Sequence, residues 1–129
     1  MKVYLAGPIN GCTDTEANGW RDAVRSDPLA QLAELLDPMA RDYRGAEDSN
    51  VEAIVSGDKA DIDSADAVLA YCWAPSYGTA MEILYAHERN KIVVVVSGSR
   101  SPWLLAHSDL VTSSLESGCQ YLHLWAMTA

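Results

Sequence analysis

The chain has 129 residues, of which 49% are apolar and 21% charged, a composition typical of one globular domain and unlike that of a disordered chain. Its formal charge is −9 at pH 7 and its nine Lys and Arg residues are scattered, which argues against binding to polymeric nucleic acid. No stretch reaches the roughly 18 apolar residues of a membrane span and no signal-peptide pattern opens the sequence, so we expect a cytoplasmic protein that does not bind membranes.

The first half of the chain alternates strand and helix patterns. KVYLA, over residues 2–6, is a short buried-strand pattern followed by a polar loop and a helical pattern over 15–26. ELLDP, over 34–38, is a second short strand, separated from the helix by an earlier proline. A long polar loop then leads to a helical pattern over 50–65.

The second half continues the alternation. AVLAYCW, over 67–73, is continuously apolar, and the segment PSYGTAMEILYA after it predicts a helix. KIVVVV, over 91–96, is the strongest strand pattern because every position after the lysine is β-branched and apolar. The remaining predicted elements are a helical turn at 103–106, an edge strand at 109–111 and a final helix at 113–126.

This order of elements predicts the fold class. Strands alternating with helices form α/β folds, and strands that are apolar on both faces belong inside a parallel sheet. We therefore expect a flavodoxin-like, doubly wound sheet of about five mostly parallel strands with helices on both faces. Ligands bind such sheets at the carboxyl ends of the strands, which directs attention to the loops GPINGCTD, DPMARDYRG and WAPSYGT.

We expect neither a metal nor a cofactor. The first loop fits neither G-x-G-x-x-G nor G-x-x-x-x-G-K-[ST], so dinucleotide and ATP chemistry lack support. The cysteines are far apart with no C-x-x-C pair, which indicates neither a disulfide framework nor a zinc site. The histidines also lack metal-ligand spacing.

A lone glutamate, Glu82, lies near the start of the helix predicted after residue 75. Ser76 is a candidate cap for that helix, and Gly78 would let a ligand approach its free N–H groups. Glu82 shares a helix face with Thr79, within the first turn or so. It either only stabilises the helix start, or is a nucleophile that the helix dipole keeps ionised.

A second carboxyl group near Glu82 would complete the acid–nucleophile pair of a retaining glycosidase. The candidates lie in the segment DKADIDSAD and are Asp58, Asp61, Asp63 and Asp66. Sequence spacing alone does not decide among them.

Several motifs span nearly the whole chain: YLAGPI, DP followed by RDYRG, D-x7-D before an apolar strand, PSYGTAMEILYA and K-x-VVVV. Together they resemble the nucleoside 2-deoxyribosyltransferase family, which includes hydrolases that cut the N-glycosidic bond of nucleoside 5′-monophosphates. The resemblance implies one such domain over residues 1–129 that works without a cofactor.

The resemblance also implies roles for individual residues. Glu82 would attack C1′ of the sugar and form a covalent glycosyl-enzyme, Asp58 would contact the base and assist its departure, and Tyr4 would orient the nucleophile. Asp42 falls on a position that reads the base in some members, where a carboxylate favours cytosine, adenine or guanine over thymine. The implied substrate-binding residues are Gly7, Ile9, Asn10, Asp42, Arg44, Ser76, Gly78, Thr79, Trp103 and His107.

The 5′ end of the substrate stays open between a hydroxyl and a phosphate. In the family, a serine at the position of Ser76 accompanies 5′-monophosphate substrates, and a neutral hydroxyl at a helix start can donate to phosphate. The first loop, however, has Pro8 and Asn10 and no arginine. Arg41 or Arg44 would supply the charge, unless they belong to a solvated face.

Members of the family complete their pocket with residues of a neighbouring subunit, drawn from the segment after the fourth strand. Here that segment is SGSRSPWLLAHSD, and Ser101, Trp103 and His107 are the candidates. Trp103 is alternatively an ordinary core residue. The resemblance therefore implies a homodimer or higher homo-oligomer with shared active sites.

The sequence thus predicts an enzyme that cleaves the N-glycosidic bond of (deoxy)ribonucleosides or their 5′-monophosphates. A second base that takes up the sugar would make it a transferase, and water would make it a hydrolase. Two alternatives are a non-catalytic nucleotide-binding or sensing module and an NAD glycohydrolase-like domain, which also uses a glutamate.

Overall fold

Strands and helices alternate along the chain in the computed structural model, which describes residues 1–128. The strands are β1 (Lys2–Ala6), β2 (Glu34–Leu36), β3 (Ala67–Tyr71), β4 (Ile92–Val96) and β5 (Leu110–Thr112). The helices are α1 (Asp14–Arg25), α2 (Val51–Ser64), α3 (Tyr77–Glu88), α4 (Pro102–Ala106) and α5 (Leu115–Thr128). Short 3-10 turns cover Pro28–Gln31, Pro38–Arg41 and Glu47–Ser49.

The strands form one parallel five-stranded sheet in the order β2-β1-β3-β4-β5. This is the flavodoxin-like order, so the predicted fold class is confirmed. The central strands are buried on both faces, which explains why their sequences are continuously apolar. The two edge strands, β2 and β5, have only three residues each.

Alternate residues of β1 face opposite sides of the sheet. Val3 and Leu5 pack in a core with α1 and α5, whereas Tyr4 and Ala6 pack in a second core with α2 and α3. The strand therefore directs the phenol of Tyr4 towards the α2–α3 side of the sheet.

The predicted end of β2 differs from the structure for a local reason. β2 stops at Leu36 instead of residue 38, because Pro38 opens a 3-10 turn whose cap, Asp37, accepts a hydrogen bond from the Met39 backbone N–H at 2.8 Å. α3 begins at Tyr77, and Ser76 is its cap as the sequence predicted. None of the helices within residues 1–128 is both long and apolar enough to cross a membrane.

A fully buried arginine, Arg21 of α1, supports the loop after β1. Its Nη2 donates to the carbonyl oxygens of Leu5 and Gly7, at 3.2 and 3.3 Å, and its Nε lies 3.3 Å from Asp37 Oδ1. A Cβ at Gly7 would lie 2.6 Å from the ring of Trp20, so only glycine fits there. Packing against Trp20, and not an unusual φ, therefore explains this glycine.

Candidate active site

A cavity of about 320 Å³ lies at the carboxyl ends of β1 and β3, bounded by α2 and the start of α3. The residues proposed from sequence that line it are Gly7, Ile9, Asn10, Arg44, Asp58, Ser76, Gly78, Thr79 and Glu82. The remaining lining residues are Pro38, Arg41, Tyr43, Glu47, Asp48, Val51, Ile54 and Val55. Tyr4, Asp42, Trp103 and His107 are not among the lining residues.

Glu82 lies at the floor of the cavity, in the second turn of α3. The sequence pattern placed it within the first turn or so, but counting from Tyr77 puts it beyond the first turn, which contains no acidic residue. A carboxylate in the second turn gains little from the helix dipole, whose effect falls off within the first turn. The interpretation of Glu82 as a helix-stabilising acid therefore loses its physical basis.

Tyr4 lies directly beneath Glu82. Its side chain is fully buried, and its hydroxyl donates a short hydrogen bond to Glu82 Oε2. This bond fixes one oxygen of the carboxyl group and leaves Oε1 as the oxygen without a protein partner. Tyr4 thus contributes to the site through Glu82 and not by lining the cavity.

The ionisation of Glu82 is governed by its surroundings more than by its helix. The pKa of Glu82 is raised to about 8, mainly by burial and also by the nearby charge of Asp58. The Tyr4 hydrogen bond and the charge of Arg21 act in the opposite direction. Burial thus opposes the ionised form that the sequence analysis attributed to the helix dipole, and a pKa of about 8 favours the protonated form of Glu82 at neutral pH.

Asp58 is the acidic residue of the DKADIDSAD segment that lines the same cavity as Glu82. Burial raises the pKa of Asp58, whereas hydrogen bonding to Arg41 lowers it. The other three aspartates do not line the cavity: Asp61 shares Arg41 with Asp58, Asp63 binds Tyr85, and Asp66 accepts from the Lys2 backbone N–H. Sequence spacing left four candidates for the second carboxyl group, and the structure places one of them, Asp58, in the cavity.

Ser76 and Thr79 form a small polar group at the start of α3. Ser76 Oγ accepts hydrogen bonds from the Thr79 backbone N–H at 3.2 Å and from Thr79 Oγ1 at 3.0 Å. With these two acceptor positions filled, the Ser76 hydroxyl hydrogen is available to a ligand in the cavity. Gly78 adjoins them and leaves open space where a Cβ would stand.

Asp42 pairs with Arg44, which is one of the residues that line the cavity. Arg44 Nε and Nη2 bind the Asp42 carboxylate at 2.9 and 2.8 Å, and Nη2 also binds Asp14 at 2.6 Å. These contacts lower the pKa of Asp42 to about 2. Asp42 is exposed, and its carboxylate meets Arg44 instead of the cavity, which does not favour its predicted role as a base reader.

Trp103 and His107 lie outside the cavity, on α4 and just after it. Their rings stack with centroids 5.5 Å apart, and His107 also contacts the ring of His87 at 5.1 Å. Trp103 is 73% exposed. The alternative that Trp103 is an ordinary core residue is therefore wrong.

Sequence reasoning missed the structural roles of two arginines that shape the site. Arg41 binds both Asp58 and Asp61, and Arg21 supports the first loop from below. The burial of Arg21 was predictable from the helix pattern, because Arg21 lies on the buried face of α1 between Trp20 and Val24. No local sequence pattern indicated the partners of Arg41, because they lie 17 and 20 residues further along the chain.

Comparison with known proteins identifies relatives of this fold. The model of the family "Nucleoside 2-deoxyribosyltransferase" matches residues 3–118. No curated protein matches the chain.

Three solved structures share the fold at identities too low to indicate more than the fold. A 2-desoxiribosyltransferase from Leishmania mexicana is 20% identical, with a TM-score of 0.73 and coverage of 95% of this chain and 97% of that one. A 2-deoxyribosyltransferase from Bacillus psychrosaccharolyticus is 16% identical, with a TM-score of 0.70 and coverage of 91% and 89%. A CMP N-glycosidase from Clostridium botulinum is 15% identical, with a TM-score of 0.64 and coverage of 97% and 99%.

Proposed function

The chain belongs to the nucleoside 2-deoxyribosyltransferase family, and from this premise we propose that it cleaves the N-glycosidic bond of nucleosides or their 5′-monophosphates with Glu82 as nucleophile. The observation that carries the proposal is the arrangement of two carboxyl groups, Glu82 and Asp58, in one cavity, with Tyr4 holding Glu82 from beneath. Retaining glycosidases use such a pair to attack the anomeric carbon and to protonate the leaving group.

The first chemical step forms the bond between Glu82 and the sugar, and it requires one proton for the leaving base. Glu82 Oε1 forms a bond to C1′ while the bond from C1′ to the base nitrogen breaks, and the electron pair of that bond passes to the base. The proton that Glu82 holds at neutral pH passes through Asp58 to the base. In the second step, water or another base attacks C1′, breaks the ester to Glu82 and returns one proton to the carboxyl pair.

Ser76 holds the 5′ end of the substrate through its free hydroxyl hydrogen, which suits either a 5′-hydroxyl or a phosphate oxygen. The arginines considered for phosphate binding, Arg41 and Arg44, are each bound to two carboxylates. A phosphate would have to draw one of them away from its partners, which favours substrates with an uncharged 5′ end.

The proposal is tested by base release. The protein is incubated with deoxycytidine, deoxyadenosine, dCMP and dGMP, with and without free adenine, and products are separated by chromatography. We expect release of free base, with faster release from a deoxynucleoside than from its 5′-monophosphate. New nucleoside formed only with added adenine would identify a transferase, release without acceptor a hydrolase, and no release from any substrate would contradict the proposal.

Tyr4→Phe tests the proton assignment. The hydrogen bond from Tyr4 lowers the pKa of Glu82, so its loss raises that pKa above about 8. Because the active form holds one proton on the carboxyl pair, activity of the wild type falls as pH rises through about 8. In Tyr4→Phe, the alkaline limb of kcat/KM should move to higher pH, with kcat lowered about tenfold to a hundredfold by lost orientation.

An alkaline limb that stays in place in Tyr4→Phe would show that Glu82 does not supply the proton. Tyr85→Phe is the matched control, since its hydroxyl binds Asp63 on the surface between α2 and α3. It should keep the wild-type pH profile.

The shared active site is part of the proposal. Trp103 is exposed and stacked on His107, a rigid aromatic pair that could pack against a second copy. We expect a dimer or larger oligomer by light scattering, and we expect Trp103→Ala to raise KM for the nucleoside. A monomer with full activity would contradict this part alone.

A further inference from the structure

A single arginine, Arg41, joins two aspartates on one face of α2. Its Nη2 lies 3.2 Å from Asp58 Oδ1 and 2.8 Å from Asp61 Oδ2. The aspartates are three residues apart and therefore neighbours on the helix surface. Without the arginine, two carboxylates at this spacing would repel each other.

Close approach of Arg41 to the helix depends on Gly57. A Cβ at this position would lie 2.9 Å from Arg41 Nε and 3.3 Å from Cζ, so the Arg41 side chain would have to shift. Gly57 lies in the interior of α2, where glycine weakens a helix by about 1 kcal/mol relative to alanine. α2 thus contains a glycine, which lowers helix stability, at the position where the Arg41 guanidinium packs.

The three side chains are only partly exposed, at 33% for Arg41, 24% for Asp58 and 25% for Asp61. Such shielding strengthens their interaction relative to a fully solvated ion pair. The bridge therefore restricts the rotamers of Asp58, the residue through which the proposed function passes a proton to the leaving base.

We propose that Arg41 is a positioning residue, which holds the Asp58 carboxylate in the cavity that it shares with Glu82 by joining it to Asp61, and that Gly57 is needed to admit it. The inference rests on the proposed function for the role of Asp58, but the bridge itself is testable without activity.

Asp58 is surrounded by four ionisable groups: Arg41 from the turn after β2, Asp61 on its own helix, Tyr4 from β1 and Glu82 from α3. Arg41 is the group among them that favours the ionised form of Asp58 by its charge. With Arg41 in place, Asp58 binds its proton less tightly and gives it up more readily to the base.

The first experiment measures the bridge directly. The carboxyl carbon of Asp58 is followed by NMR as a function of pH in the wild type and in Arg41→Met, with Asp58→Asn to assign the signal. The pKa of Asp58 should rise in Arg41→Met, because an attracting charge and a donor are removed. An unchanged titration would overturn the proposal, whether or not the wild type releases base.

The second experiment separates positioning from folding. Gly57→Ala should lower kcat for base release about tenfold to a hundredfold, with KM changed by less than about twofold, because a displaced acid mainly affects the transition state. Helix propensity by itself favours alanine, so the variant should stay folded.

Gly19→Ala is the matched control. It is also a glycine-to-alanine change inside a helix, but its Cβ would meet only Thr15 Cγ2, at an ordinary 3.8 Å. Gly19→Ala should keep the wild-type kcat. Equal kcat values for Gly57→Ala and Gly19→Ala would overturn the requirement for Gly57, while absence of base release in the wild type would contradict the proposed function and leave the NMR result to decide on Arg41.

Discussion

Glu82→Gln is expected to lower kcat for base release by at least about 10⁴-fold, the scale on which removal of a nucleophile acts. Glutamine keeps the shape of the side chain and can still accept the hydrogen bond from Tyr4, but its amide oxygen does not form a stable bond to C1′. Intact-protein mass spectrometry after rapid quenching should show a glycosyl adduct on the wild type and none on the variant. Equal turnover in the two proteins would remove Glu82 from the mechanism.

The same variant should fold at least as well as the wild type. The folded-state pKa of Glu82 is about 8, well above the 4.5 of an unperturbed glutamate, so unfolding releases a proton between these pH values. The stabilisation linked to Glu82 is therefore complete below about pH 4.5 and is lost as pH rises to about 8. Glu82→Gln has no such loss, and its thermal midpoint relative to the wild type should increase across this range and then level off.

Arg21→Met is expected to lower the free energy of unfolding by about 3 to 5 kcal/mol, the usual result of removing one partner of a buried ion pair. Methionine fills much of the same volume, so the loss is mainly electrostatic. Three carbonyl oxygens, those of Leu5, Gly7 and Ala17, lose their donor, and Asp37 loses one of its two cations. Chemical denaturation at neutral pH measures the difference.

Arg25→Met is the control for this change. Arg25 binds the same aspartate, Asp37, but its side chain is 44% exposed, and such pairs contribute about 1 kcal/mol or less. A loss of stability no larger for Arg21→Met than for Arg25→Met would show that the buried arginine is not needed for the loop after β1. If Arg21→Met folds normally but releases base more slowly, the main effect of Arg21 is on the active site.

The fold was predictable because strand and helix patterns depend on near neighbours. In β4, every residue from Ile92 to Val96 is apolar and β-branched, and the structure places the strand there. The prediction failed where a local hydrogen bond competes with the sheet, as at Asp37, whose side chain binds the Met39 N–H and ends β2 early.

The site was predictable only in part. Resemblance indicated Glu82, Asp58 and Tyr4, and the structure brings these residues together, but no sequence pattern indicated that burial controls the ionisation of Glu82. Burial depends on how α2 and α3 pack over β1, which brings together residues as far apart in sequence as Tyr4 and Glu82, 78 positions from each other. Pairing of Asp42 with Arg44 is likewise a property of the folded loop.

The ionisable groups that line the cavity bear on inhibitor design, and they are Arg41, Arg44, Glu47, Asp48, Asp58 and Glu82. Both arginines are bound to carboxylates, so the lining is acidic overall. Glycosidic bond cleavage passes through a sugar ring with oxocarbenium-like positive charge, and compounds that resemble such a state bind far more tightly than substrates. A sugar mimic with a protonated ring nitrogen and no phosphate should therefore be a stronger inhibitor than a neutral nucleoside analogue.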